Sequence, residues 1–357
     1  EMVLLQLEAG HPVAALEFVE RARARTILEM FLQRSTQLDL PPDVVSPLRA
    51  RDLFSGLPDN AVLVTYAIVG DYLATWVANR SGLQKVEIRV AAAQVNNLGI
   101  RFYHRIRHSG KGHSAGGLSG ELYETLIRPI ERYLVPGAEI IISAEGTLGL
   151  IPFAALRDPA TGRYLVEEHS ITVAPSGSLY VAGKERWKFL ARHRGRLRAL
   201  VVANSRATDR LPALYAARAE AEIVAREYAP GSLVLIDDLA TKQAFLREAP
   251  RFDVVDFVGH AVSTPATPLW SYLPMMPSPP SQNAALYASE IYRTDFPSTA
   301  LLVLSACETT KTGLFSGDGV QSLALAALAA GIPSVLGSLW NINDDAAADL
   351  MFGFHRR

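Results

Sequence analysis

The chain has 357 residues, 49% of them apolar and 20% charged, enough to bury a core in two domains of about 100 to 200 residues each. Thirty-five basic side chains against thirty-six acidic ones leave no net field to draw in nucleic acid or an anionic membrane, so neither is expected as a direct partner. One cysteine excludes an intrachain disulfide, and with no leading cationic-then-apolar segment the expected setting is reducing and cytoplasmic.

The first forty residues read as helix. "PVAALEFVERARARTILEMFLQR" spaces Val13, Leu16, Val19 or Glu20, Ala22 or Arg23, Ile27, Met30 and Phe31 near three and four, until Pro41, Pro42 and Pro47 end the pattern. A chain that opens within such a helix, with glutamate at position 1, is expected to be a piece of a longer protein. From Ala61, "AVLVTYAIV", "YLATWVAN" and "LQKVEIRVA" are spaced like the strands of a meander. "LYETLIRPIERYL" then reads as helix, and "AEIIISAEG" and "SITVAPS" as strands. Between meander and helix, "RHSGKGHSAGGLSG" (107–120) predicts a loop; Lys111 sits there without the G-x-x-x-x-G-K-[ST] spacing of a phosphate loop. From Arg196 the rhythm becomes that of an α/β domain. "LRALVVANS", "GSLVLIDD", "FDVVDFVGHA", "TALLVLSACE" and "IPSVLGSLW" are nearly continuous apolar runs separated by helical segments, which implies a mostly parallel sheet covered on both faces. The apolar stretch 323–340 is interrupted by Gly331, Pro333, Ser334, Gly337 and Ser338, and reads as a buried helix turning into a buried strand, not a membrane span.

In open parallel sheets, chemistry collects at the carboxyl ends of the strands. "VVDFV" ends in Gly259-His260-Ala261, and "LLVLS" in Ala306-Cys307-Glu308. Each polar residue has a plain structural alternative: His260 as a strand-end histidine, and Cys307 as a small buried hydrophobe. As neighbours, however, they form a base and a nucleophile, because an imidazole within reach relieves a thiol whose reference pKa is about 8.5 of its proton. Small flanking residues leave room for a peptide backbone and make the N–H groups of Ala261 and Cys307 candidates for an oxyanion hole. The order His then Cys, 47 residues apart, parallels that of caspases, although the caspase pentapeptide is absent.

From Ala61 onward, "AEGTLGLIPFAALRDPATGRYLVEEHSITVAPSGSL", "DVVDFVGHA", "LYASEIYR", "LLVLSACETTKTG" and "GDGVQSLALAALAAGIPSVLGSLWNINDDAAADLM" resemble the successive motifs of the CHAT domain, a caspase-like cysteine peptidase family related to separase. The resemblance implies a caspase-haemoglobinase fold with a Cys-His dyad at His260 and Cys307. It implies three segments: 1–58, similar to the end of a tetratricopeptide (TPR) array; 59–190, a catalytically silent caspase-like half; and 191–357, the active half. Relatives continue past the last helix with further helix and a final strand, so that half is expected to be truncated or differently ended. The family's acidic pocket residues have candidates in Glu308, Asp318 and Asp344. Where many relatives have Trp-Asp this chain has Trp340-Asn341, which weakens the expectation of a basic P1 residue. Asp344 and Asp345 have an alternative as first-turn helix acids.

The expected function is therefore a cytoplasmic cysteine endopeptidase cutting a specific protein, gated by a TPR region or an effector. By family resemblance its setting is bacterial defence or programmed cell death, and its substrate a gasdermin-like or other effector. The competing reading is a non-catalytic CHAT-like interaction scaffold. No G-x-S-x-G elbow supports a serine hydrolase and no G-x-G-x-x-G a dinucleotide site. His104, His108 and His113 lack a metal-ligand pattern, so neither metal nor cofactor is expected.

Overall fold

A computed structural model describes residues 1–23, 25–35, 48–108, 116–192, 194–206, 211–262, 264, 267–278, 283–305, 323–339 and 344–356. The chain divides into two compact units, residues 1–28 with 42–182, and residues 29–41 with 183–357. The division falls within two helices, α3 (Arg25–Gln33) and α7 (Gly177–Arg192).

In the first unit, α1 (Met2–Glu8) and α2 (Pro12–Ala22) precede α3, and α4 (Ala50–Gly56) leads into a meander of β1 (Ala61–Val69), β2 (Tyr72–Asn79) and β3 (Gly82–Ala91). The single long helix expected over 12–34 is broken at Arg23, whose backbone is extended (φ −92°, ψ 135°). Its guanidinium is buried and donates to the Ser143 carbonyl (3.0 Å), the Ser143 hydroxyl (3.1 Å) and the Tyr66 carbonyl. Three acceptors in the sheet outweigh one more turn of helix, because a buried cation must be hydrogen-bonded.

After the meander come α5 (Ala92–His108) and α6 (Gly116–Leu122). The two ends of the expected loop at 107–120, residues 107–108 and 116–120, are thus helical, and residues 109–115, Lys111 and His113 among them, lie outside the described residues. The helix expected at 122–134 is a π-helical turn, Tyr123–Ile127, followed by a 3-10 turn, Arg128–Tyr133. Pro129 accounts for the departure, since it lacks the N–H that a regular α-helix needs. β4 (Glu139–Ser143) and β5 (Ser170–Ala174) complete a mixed sheet in the order β3-β2-β1-β4-β5, antiparallel through the meander and parallel from β1 to β5. Alternation along β1 sends Val62, Val64 and Tyr66 into the core under α5, and Ala61, Leu63 and Ala67 into the core under α2 and α4. Both faces are covered, which is why the strand reads as a continuous apolar run.

The second unit contains β6 (Ala199–Ala203), α8 (Ala217–Glu227), β7 (Leu233–Ile236), α9 (Lys242–Glu248), β8 (Val254–Val258), a two-stranded ribbon of β9 (Tyr272–Pro274) and β10 (Ala285–Tyr287), α10 (Ala288–Arg293), β11 (Leu301–Ser305), α11 (Leu323–Ala329), β12 (Ser334–Gly337) and α12 (Asp344–His355). Its main sheet is parallel throughout, in the order β7-β6-β8-β11-β12. This is an α/β unit with a parallel five-stranded sheet, preceded in the chain by a mixed sheet and N-terminal helices. Val255 and Phe257 of β8 pack under α9, α10 and α11, and Val254 and Val258 under α8. The strand expected to be buried after α11 is instead the half-exposed edge strand β12. Among the described residues, no helix is long and apolar enough to cross a membrane.

Candidate active site

The chain leaves β6 toward β7 on one side and toward β8, β11 and β12 on the other, which makes the carboxyl ends of β6 and β8 the topological switch point where such sheets bind ligands. β8 and β11 finish side by side, with Val258 paired to Ser305. The Gly259 N–H donates to the Ser305 carbonyl (3.2 Å), and the Asn204 N–H to the Val258 carbonyl (3.0 Å). Glycine is required at 259 by close approach: a Cβ there would lie 2.8 Å from the Phe257 ring and 3.6 Å from the Asn204 carbonyl oxygen.

His260 follows, half-buried, with Nε2 2.8 Å from the Pro212 carbonyl oxygen. A carbonyl only accepts, so Nε2 carries a proton, and in the neutral ring the lone pair then lies on Nδ1. The backbone thereby selects the tautomer that can act as a base through Nδ1. Ala261 is partly buried against the core beneath α9 to α11. Cys307, Glu308 and Asp318 fall within 306–322, and Asn341 within 340–343, all outside the described residues; Asp344 opens α12, and its side chain is likewise outside them.

Three features at this end of the sheet escaped the sequence reading. The first is Pro212, a main-chain partner that no motif marks. The second is a polar cluster beyond β6 and β7. There Asp237 accepts from the Ser205 N–H (3.0 Å) and hydroxyl (2.7 Å) and from Arg218 (2.9 Å). Burial alone would raise the Asp237 pKa, but these donors outweigh it and hold the carboxyl below its usual range. Asp237 also has φ 48°, a left-handed conformation that aspartate tolerates better than most residues. The third is the β9–β10 ribbon, whose anchors reach three strand ends. Val262 and Tyr272 exchange backbone hydrogen bonds (2.9 and 3.0 Å) beyond β8. Asn204 Nδ2 donates to the Pro274 carbonyl (3.0 Å) beyond β6, and the Met276 N–H donates to the Ala240 carbonyl (2.9 Å) beyond β7.

On the α8 face of β8, Asp256 is fully buried with a carboxylate oxygen 3.3 Å from His355 Nε2, and His355 Nδ1 lies 2.9 Å from the Tyr228 hydroxyl. Burial pushes the Asp256 carboxyl above its usual range, with His355 pulling partly the other way. A carboxylate inside the apolar run "VVDFV" was the available signal for this cluster. Among the described residues no group of three or more histidine, cysteine, aspartate or glutamate side chains is placed to hold a metal.

The CHAT domain family model matches residues 117–357, well over half of the chain. The chain belongs to the CHAT-domain family. Among solved structures, this CHAT protein is similar to a chain of the Saccharomyces cerevisiae separase–securin complex, at 10% identity and a TM-score of 0.51 over 84% of its length. It spans only 27% of that chain. A second crystal structure of the same complex aligns over 84% of this chain and 28% of its own, at 11% identity and a TM-score of 0.44. At these identities the likeness is one of fold. No curated protein matches the chain.

Proposed function

We propose that this CHAT domain is a cysteine peptidase in which His260 and Cys307 form the catalytic dyad. The observation that carries the reading is the His260 ring, whose contact with Pro212 favours the tautomer with its lone pair on Nδ1, just past a strand whose last residue, Val258, pairs with Ser305, two residues before Cys307. In the proposed reaction, Nδ1 takes the thiol proton and the sulfur attacks the carbonyl carbon of a peptide bond. The N–H groups of Ala261 and Cys307 receive the developing oxyanion. Collapse breaks the C–N bond, the imidazolium returns its proton to the departing amine, and water hydrolyses the thioester to regenerate the thiol.

The finer parts of the reading come from family kinship. They are a specific protein substrate, a gasdermin-like or other effector in bacterial defence or cell death, gating by a TPR region or partner, and a cytoplasmic setting. Glu308, Asp318, Asn341 and Asp344 remain the proposed pocket residues. The test is labelling with peptidyl electrophiles followed by intact mass. One adduct is expected, lost in Cys307→Ala and slowed about 10²- to 10⁴-fold in His260→Ala. Labelling at equal rates in wild type and His260→Ala overturns the dyad, and a Cys307 inert to every probe favours a non-catalytic scaffold.

A further inference from the structure

The ribbon that crosses the strand ends carries an aromatic group that the proposed chemistry does not use. Tyr272 and Tyr287 are directly paired across β9 and β10, so their side chains share a face, and their rings meet edge to face at 5.6 Å. Trp270 adds a third ring, 5.2 Å from Tyr287 and nearly perpendicular to it at 79°. Trp270 is 61% exposed, whereas Leu273 and Leu286 on the opposite face of the ribbon are fully buried. An indole left open to water on a rigid support is a common feature of recognition surfaces, because it offers a large apolar area at little cost in conformational entropy.

The position of the group ties it to the candidate site. Tyr272 is bonded through its backbone to Val262, two residues after His260, and the ribbon is also held at Asn204 and Ala240. With about 3.3 Å per residue along a strand and about 4.8 Å between strands, the backbones of Tyr272, Tyr287 and Trp270 lie roughly 8, 12 and 14 Å from that of His260 in the antiparallel pairing of Val262 with Tyr272. That is about two to four residues of extended peptide.

The pairing of the nearby carboxylate favours an apolar over a cationic occupant. The carboxylate nearest in sequence to Tyr287 is Glu290, which already accepts from Lys242 (3.0 Å) and from the Tyr287 N–H (3.0 Å). A cationic side chain seated on the rings would find that carboxylate already committed, while an apolar one needs no counter-charge.

We propose that Trp270, Tyr272 and Tyr287 form a specificity shelf that takes a bulky apolar side chain of a polypeptide substrate, two to four residues from the scissile bond; this rests on the peptidase reading above. The test is a fluorogenic hexapeptide library varied at one position at a time, applied to wild type, Trp270→Ala and Trp270→Phe. Binding of the same peptides to Cys307→Ala and to Cys307→Ala/Trp270→Ala is followed in parallel by fluorescence polarisation. Wild type is expected to prefer leucine, methionine or phenylalanine over glycine at one such position. That preference should fall about ten-fold in kcat/KM in Trp270→Ala and largely return in Trp270→Phe. Turnover with the same preference in Trp270→Ala overturns the shelf and leaves the peptidase reading intact. Trp270-dependent binding to Cys307→Ala with no turnover by wild type supports the shelf and overturns the peptidase reading. Absence of both binding and turnover overturns the two together.

Discussion

Gly259 is where backbone geometry and proposed chemistry meet. With a Cβ 2.8 Å from the Phe257 ring, Gly259→Ala must displace either a fully buried aromatic or the turn that presents His260. Overpacking of this kind costs about 1 to 3 kcal/mol. Gly259→Ala is therefore expected to lower the denaturation midpoint and also to slow alkylation of Cys307, because the shift falls one residue before the base; urea titration and alkylation kinetics check the two effects separately. Asp237 carries a pH dependence of defined sign. Its folded pKa is depressed, so the stability it contributes is present above the unfolded value of about 3.9 and is lost as pH falls through the folded value. Asp237→Asn should flatten that part of the acid-denaturation profile, followed by circular dichroism from pH 5 downward. Burial raises the pKa of Asp256, so its sign is opposite: stability is greatest below the unfolded value and falls as pH rises through the folded one.

At the scale of elements, one carboxylate joins α2 to the start of α7. Glu20 is 1% exposed and accepts from the Gly177 N–H (3.0 Å), the Ser178 N–H (2.8 Å) and the Ser178 hydroxyl (2.7 Å), groups that a helix cannot satisfy within its own first turn. The packing is close enough that a Cβ on Gly177 would sit 2.8 Å from Leu63 and 3.0 Å from Leu53. Glu20→Ala leaves buried donors without an acceptor, at about 1 to 3 kcal/mol for such a group. Glu20→Gln keeps one acceptor oxygen and should cost less, an order that chemical denaturation of the two variants checks. The helical spacing admits Glu20 and Arg23 to the apolar face, but neither their partners nor the break at Arg23 was legible in sequence. The periodicity of 12–34 is helical throughout, and only the acceptors at Ser143 and Tyr66, far away in sequence, interrupt it.

For the whole molecule, each unit has its own sheet with a core on both faces, and solvent reaches the edges first. Hydrogen exchange followed by mass spectrometry should find β1 and β4 slowest in the first unit, and β6 and β8 slowest in the second. β5, β7 and β12, whose residues are mostly half-buried or exposed, should exchange earlier. Equal protection of β8 and β12 would contradict a sheet in which, among the described residues, β12 is an edge strand.

Sequence alone determined the fold class and the candidate base. Continuous apolar runs alternating with helical segments leave few arrangements other than a covered parallel sheet, and His260 stands at the end of such a run. Strand order, the choice of Pro212 as the partner of His260, the Asp256–His355–Tyr228 cluster and the aromatic shelf were decided by tertiary structure. Each of these joins groups more than a dozen residues apart or depends on a main-chain carbonyl, and local periodicity encodes neither. A strand pattern shows which residues are buried, while which strand lies beside it is settled only when the cores on both faces pack together.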